Sequence, residues 1–142
     1  PDKKVMLNEE TIRIYNVPKD YIGSQKREIG EEIERRYRVY KGKYELPAIK
    51  GKIVILTDDG IATGFTTKAA VEYVKSQKPK KIILAVPVAP LDFANKISKE
   101  VEFVCIHATD KFYSISQFYE NFPQLEDEDV KRYLKESGQI SL

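Results

Sequence analysis

The stretch Ile53-Val-Ile-Leu-Thr-Asp-Asp-Gly-Ile-Ala-Thr-Gly-Phe-Thr-Thr67 constrains this chain more than any other. It opens as a run of β-branched and apolar residues, which Asp58 and Asp59 end. Gly60 permits a tight turn, and Thr63, Gly64, Thr66 and Thr67 follow. From Lys68 to Lys75 the apolar spacing becomes helical. The order is therefore strand, acidic pair, small-residue loop, helix. Such a loop presents backbone N–H groups and hydroxyls at a helix start, where a phosphate is favoured.

Each part of that loop has a physical use. Adjacent carboxylates can accept hydrogen bonds from adjacent hydroxyls, and a charged acceptor strengthens those bonds. Gly64 lets the backbone approach an anion with no Cβ in the way. Thr63 and Thr66 can donate to phosphate oxygens. An ordinary strand-to-helix turn with an Asp-Gly corner and a Thr cap accounts for Gly60 and one Thr. It leaves the tandem acids, Gly64 and the second Thr unexplained.

The flanking pattern fixes the fold class. Lys52 to Thr57 is a strand apolar at consecutive positions, as expected of one covered on both faces. A helix from about Thr66 to Ser76 should bury Ala70, Val71 and Val74. Ile82 to Val88 is a second buried strand, starting about thirty residues after the first, the spacing of a βαβ unit. Pro90 suits the first turn of a short helix reaching about Ser98, with Leu91, Ala94 and Ile97 inward. Val101 to Ile106 is a third strand. The result is β-α-β-α-β and a parallel, Rossmann-like sheet with its ligand site at the strands' carboxyl ends.

Outside this core of about 51–107, Pro1 to Lys4 reads as frayed. The stretch Asn8-Glu9-Glu10-Thr11 should cap a short helix through Ile12, Ile14 and Tyr15, broken near Pro18. A helical arm spans about 24–40, with Ile29, Ile33, Tyr37 and Tyr40 as a narrow packed seam. Glu31 with Arg35, Glu32 with Arg36, and Glu34 with Arg38 are pairs four apart on its solvated side. Lys41 to Lys50 is a connecting loop. An aromatic segment and a final helix fill about 108–138. That helix runs from Glu126 to Glu136, with Val130, Tyr133 and Leu134 as its apolar face and Gly138 as its stop.

With 142 residues the chain suits one domain. Its net charge of +2 gives no basic excess for a nucleic acid. A single Cys forbids an intrachain disulfide and makes a cytoplasmic location the default. No apolar run approaches the length of a membrane span. Cys105 alternates with apolar residues and reads as buried and inert. His107, the sole histidine, ends a strand and reads as structural, with no neighbour to make a metal site.

The loop resembles the phosphoribosyl pyrophosphate (PRPP) loop of type I phosphoribosyltransferases: an apolar strand, two acids, three variable residues, then Thr-Gly-x-Thr or Ser. Every fixed position is met. The Val86-Pro-Val-Ala-Pro90 run and the Phe-Tyr-Ser-Ile-Ser-Gln-Phe-Tyr segment from Phe112 are similar to a group of predicted phosphoribosyltransferases with unassigned acceptors. The resemblance implies that Asp58 and Asp59 are the catalytic acids and bind the ribose hydroxyls. It implies that Ile61, Ala62, Thr63, Gly64, Phe65 and Thr66 bind the 5′-phosphate. Phe112, ahead of Tyr113, would stack on a nucleobase, the alternative being simple packing. The activity implied is transfer of phosphoribosyl from PRPP to a nucleobase or related nitrogenous acceptor with release of pyrophosphate. Mg²⁺ would be held mainly through PRPP, with no protein ligand assigned.

Two departures bear on that expectation. The family's amino-terminal half carries a Pro-Arg-Gly-Gly and an Arg-Lys segment, and neither is present. The chain resembles the carboxy-terminal two-thirds of the family, a fold incomplete at the amino terminus. Without the strands that complete the sheet in related enzymes, an apolar edge or face should be exposed, so the chain is expected to self-associate, as a dimer, or to need a separate amino-terminal half, and to turn over no PRPP alone. The 6-oxopurine enzymes often carry an acid before the Thr-Gly pair, where Ala62 stands here. A PRPP- or nucleotide-sensing regulator without chemistry is the rival function.

Overall fold

A computed structural model describes residues 5–41 and 48–137. The chain divides into two compact units, residues 1–47 with 123–142, and Ala48–Phe122.

The second unit holds the sheet. Strands β1 (Ile53–Thr57), β2 (Lys81–Pro90) and β3 (Glu102–Thr109) pair in parallel in the order β1-β2-β3. The register sets Ile53 beside Lys81, Leu56 beside Leu84, and Val86 beside Cys105. Helix α3 (Phe65–Ser76) crosses from β1 to β2, and α4 (Leu91–Ile97) from β2 to β3. Both crossovers step the same way, and a constant crossover hand then puts both helices on one face.

That face carries the core. Ile82, Leu84, Val86 and Val88 of β2 are buried, as are Val71 and Val74 of α3 and Phe93, Ala94 and Ile97 of α4. Phe93 meets Phe103 edge-on, with ring centroids 6.5 Å apart. The alternation of β2 side chains explains the pattern: even-numbered positions point at the helices. Ala70, expected inward, is only half-buried, and Thr67 is buried in its stead.

The opposite face corrects an expectation. Strand β1 is not covered on both faces: Ile53 and Ile55 are exposed, Ile55 by 64 %. On β3, Val104 and Ile106 share that face and are exposed, Ile106 by 86 %. Apolar residues at consecutive positions give a strand two buriable sides. Here only one side has helices on it.

The first unit is helical. Asn8 caps α1 (Glu9–Ile14) by accepting from the Thr11 N–H at 3.0 Å, as its position predicts. Helix α2 covers Lys19–Lys41, starting five residues before the expected Ser24, directly after Pro18. Gly23 lies inside it with open space where a Cβ would be. The seam on α2 is not packed as expected: Ile29 and Ile33 are both exposed, and Tyr40 is half-buried.

Of the charged pairs expected on α2, Glu32 with Arg36 forms at 2.6 Å. Glu32 holds both Arg35 and Arg36, and the Arg38 Nε donates to the Glu34 carbonyl. Arg35 also pairs with Asp127 of α5 (Asp127–Glu136) at 2.5 Å, and the Tyr40 hydroxyl donates to the same carboxylate. Val130 and Leu134 of α5 are half-buried, whereas Tyr133 is exposed under the Arg132 guanidinium. The expected fraying at Pro1–Lys4, the greater part of the Lys41–Lys50 loop and the stop at Gly138 lie outside the described residues. Among the described residues no helix is long and apolar enough to cross a membrane.

Candidate functional site

Asp58 and Asp59 leave the carboxyl end of β1 and are both exposed. Sheet pairing stops at Thr57, so the turn beyond it needs other supports. The Asp59 N–H donates to Asp58 Oδ1 at 3.0 Å, which folds the first carboxylate over the second residue's backbone. The Ile61 N–H donates to the Val88 carbonyl at 3.0 Å, tying the turn to the central strand. Ile61 itself is 1 % exposed and belongs to the core.

The two carboxylates disfavour each other. Partial burial, and then the nearby Asp58 charge, raise the Asp59 pKa above the ordinary carboxylate range. A hydroxyl donor or a cation placed at the pair would relieve that cost.

The loop then turns into α3 through Gly64, which adopts φ 77° and ψ 0° as the residue capping the helix. Only glycine enters that left-handed region cheaply. A Cβ here would also lie 2.1 Å from Phe93 Cε2, so the loop rests directly on the core ring of α4. No side chain caps α3, which leaves the amides of its first turn for an external acceptor. Ala62, Thr63 and Thr66 are exposed around that helix start, and Phe65 is half-buried.

The predicted residues thus fall into two groups. Asp58, Asp59, Ala62, Thr63 and Thr66 are exposed along the turn and the start of α3, with Phe65 half-buried and Gly64 buried among them. Ile61 is different, since its amide is already used by Val88 and its side chain is in the core.

Phe112 is half-buried, its ring 5.1 Å from that of Phe118, which lies 5.5 Å from His107. One neighbour of Phe112 is therefore another protein ring. Tyr113 is exposed, and so is His107, which lies near the end of β3 as expected. Cys105 is half-buried rather than fully buried, and burial raises its thiol pKa, which keeps it unreactive.

Sequence reasoning missed the residues that hold the acidic turn. The Tyr119 hydroxyl donates to the Asp59 carbonyl at 2.6 Å, from sixty positions later. Ile115 fills the space where a Gly60 Cβ would sit, 2.9 Å away. Aromatic density at Phe112 to Phe122 was visible, but no periodicity pointed from it to Asp59.

Among the described residues no cluster of three or more His, Cys, Asp and Glu could hold a metal. The tandem carboxylates are hard oxygen donors with a mutual repulsion. They suit a Mg²⁺ ion that takes its remaining ligands from substrate oxygens and water.

Comparison with known proteins places this geometry. The family model described as phosphoribosyl transferase domain matches residues 3–122. Proteins of two Mycobacterium tuberculosis strains, provisionally named phosphoribosyl transferases, are 32 % identical over 131 residues. That match covers 91 % of this chain, which spans only 29 % of those relatives' length. The crystal structure of TT1426 from Thermus thermophilus superposes with a TM-score of 0.73 at 27 % identity. The superposition covers 94 % of this chain and 64 % of that one. With the loop from Asp58 to Thr66 lying inside the matched region, the chain belongs to the phosphoribosyltransferase domain family.

Proposed function

We propose that the chain binds PRPP and serves transfer of its phosphoribosyl group to a nitrogenous acceptor. The observation that carries this is the tandem carboxylate Asp58–Asp59, placed one short loop before an uncapped helix start. The 5′-phosphate would accept from the amides of Ala62 to Thr66 and from the hydroxyls of Thr63 and Thr66. The ribose hydroxyls would donate to Asp58 and Asp59.

In the transfer, the acceptor nitrogen forms a bond to the sugar C1. The bond from C1 to the pyrophosphate oxygen breaks, and pyrophosphate leaves with that electron pair. The acceptor's proton is lost to solvent. Positive charge develops on the sugar ring, and the two carboxylates stabilise it while holding the ring in place. Asp58 and Asp59 would add negative charge near a Mg²⁺ ion held mainly by PRPP, and that ion would supply neutralisation of the leaving group. A nucleobase is the acceptor class we favour, with Phe112 the candidate for stacking on it.

The test is a panel of nucleobases with PRPP and Mg²⁺, run on this chain and on an amino-terminally extended form. Both are expected to bind PRPP. Base-dependent pyrophosphate release is expected from the extended form and is lost in Asp58→Asn/Asp59→Asn. Failure of both forms to bind PRPP would overturn the reading.

A further inference from the structure

We propose that Tyr119 is a positioning residue for the ribose end of the site, its hydroxyl fixing the direction in which Asp58 and Asp59 present their carboxylates. The inference rests on the reading of those acids as the ribose receptors.

The turn at Asp58–Gly60 sits at the end of an edge strand, where frayed backbone is the ordinary outcome. Its nearby ties are Asp58 Oδ1 on the Asp59 amide, Val88 on the Ile61 amide, and the Asp59 carboxylate accepting from the Asp59 and Gly60 backbone. None of these holds the Asp59 carbonyl. The Tyr119 hydroxyl does, by donating to the Asp59 carbonyl at 2.6 Å. Holding that carbonyl fixes ψ of Asp59, the backbone frame from which its side chain projects.

Tyr119 is itself built to be rigid. Its ring lies 5.2 Å from that of Phe122. It follows a 3-10 helix, Ile115–Phe118, whose start is closed by a reciprocal cap between Ser114 and Gln117. Gln117 also ties back by donating to the Lys111 carbonyl at 2.9 Å and accepting from the Tyr113 amide. At the front of this helix Ile115 fills the space beside Gly60. The segment therefore meets the acidic turn at two points, one apolar and one polar. The apolar contact supports the turn, and the hydroxyl aims it.

The test compares affinities of the full chain for ribose 5-phosphate, 2-deoxyribose 5-phosphate and inorganic phosphate by NMR titration. The deoxy sugar lacks one hydroxyl, so the ratio of the two sugar affinities reads the acids directly. The parent is expected to prefer the ribose sugar, and Asp58→Asn/Asp59→Asn to lose that preference. Tyr119→Phe keeps the ring and is expected to cut the preference about three- to tenfold, the worth of one hydrogen bond. Inorganic phosphate affinity should be unchanged.

If the acid pair variant loses the preference while Tyr119→Phe keeps it, the positioning role alone is overturned. If Tyr119→Phe weakens phosphate and both sugars equally, it is a general support and the role is again overturned. A parent without preference, or an acid pair variant that retains it, overturns the reading of the acids and this inference with it.

Discussion

Gly60 and Gly64 are needed for different reasons, and the difference predicts how each fails. Gly64 combines a left-handed backbone with a Phe93 ring where its Cβ would stand. Gly64→Ala should therefore cost about 2 kcal/mol or more in denaturant unfolding. It should also empty the phosphate site, since the amides of α3 would turn away. Gly60 is constrained by space alone, between Val88 and Ile115. Asp59 poses the opposite case, a residue whose charge the fold resists. Its raised pKa means the ionised form costs stability at neutral pH, a cost relieved as pH falls through that value. Asp59→Asn is thus expected to melt no lower than the parent at pH 7, while losing affinity for ribose 5-phosphate. A clear drop in melting temperature would show that the carboxylate is a structural group.

At the scale of elements, the order β-α-β-α-β was legible because each run is bounded by Asp, Gly, Pro or Lys clusters. The acidic turn and Gly64 were legible because loop chemistry is local. What the residues could not announce is what lies across from them. The run Ile53 to Leu56 shows two apolar sides, but an apolar side says nothing of whether a partner element exists. The same holds for Tyr119 with Asp59, and for Arg35 with Asp127, pairs 60 and 92 positions apart. The second of these can be probed by acid. Arg35 first, then Tyr40, lower the Asp127 pKa to about 2. Its stabilisation is complete above the ordinary carboxylate range and is lost as pH falls toward about 2. Helix signal followed by circular dichroism should fall over that window, and Asp127→Asn should flatten the response. An unchanged acid limb in Asp127→Asn would remove the pair from the account.

Across the whole molecule, the exposed sheet face of Ile53, Ile55, Val104 and Ile106 is the apolar surface expected of a sheet that lacks its completing strands. An apolar, uncovered sheet face favours association. Ile55→Lys with Ile106→Lys should therefore lower the concentration-dependent mass in sedimentation while leaving unfolding within about 0.5 kcal/mol of the parent. An unchanged mass would mean the face takes no part in assembly. The division into units carries a consequence in time. The sheet unit is one contiguous stretch, whereas the helical unit is assembled from the two sides of it. On a ribosome, Arg35 emerges on the order of ten seconds before Asp127 can meet it. Ala48 to Phe122 is complete within that interval. The acidic turn can thus be formed while Arg35 and Tyr40 of α2 still await the Asp127 carboxylate. The sheet unit is therefore the first of the two able to close on a ribosome, and the helical unit the second.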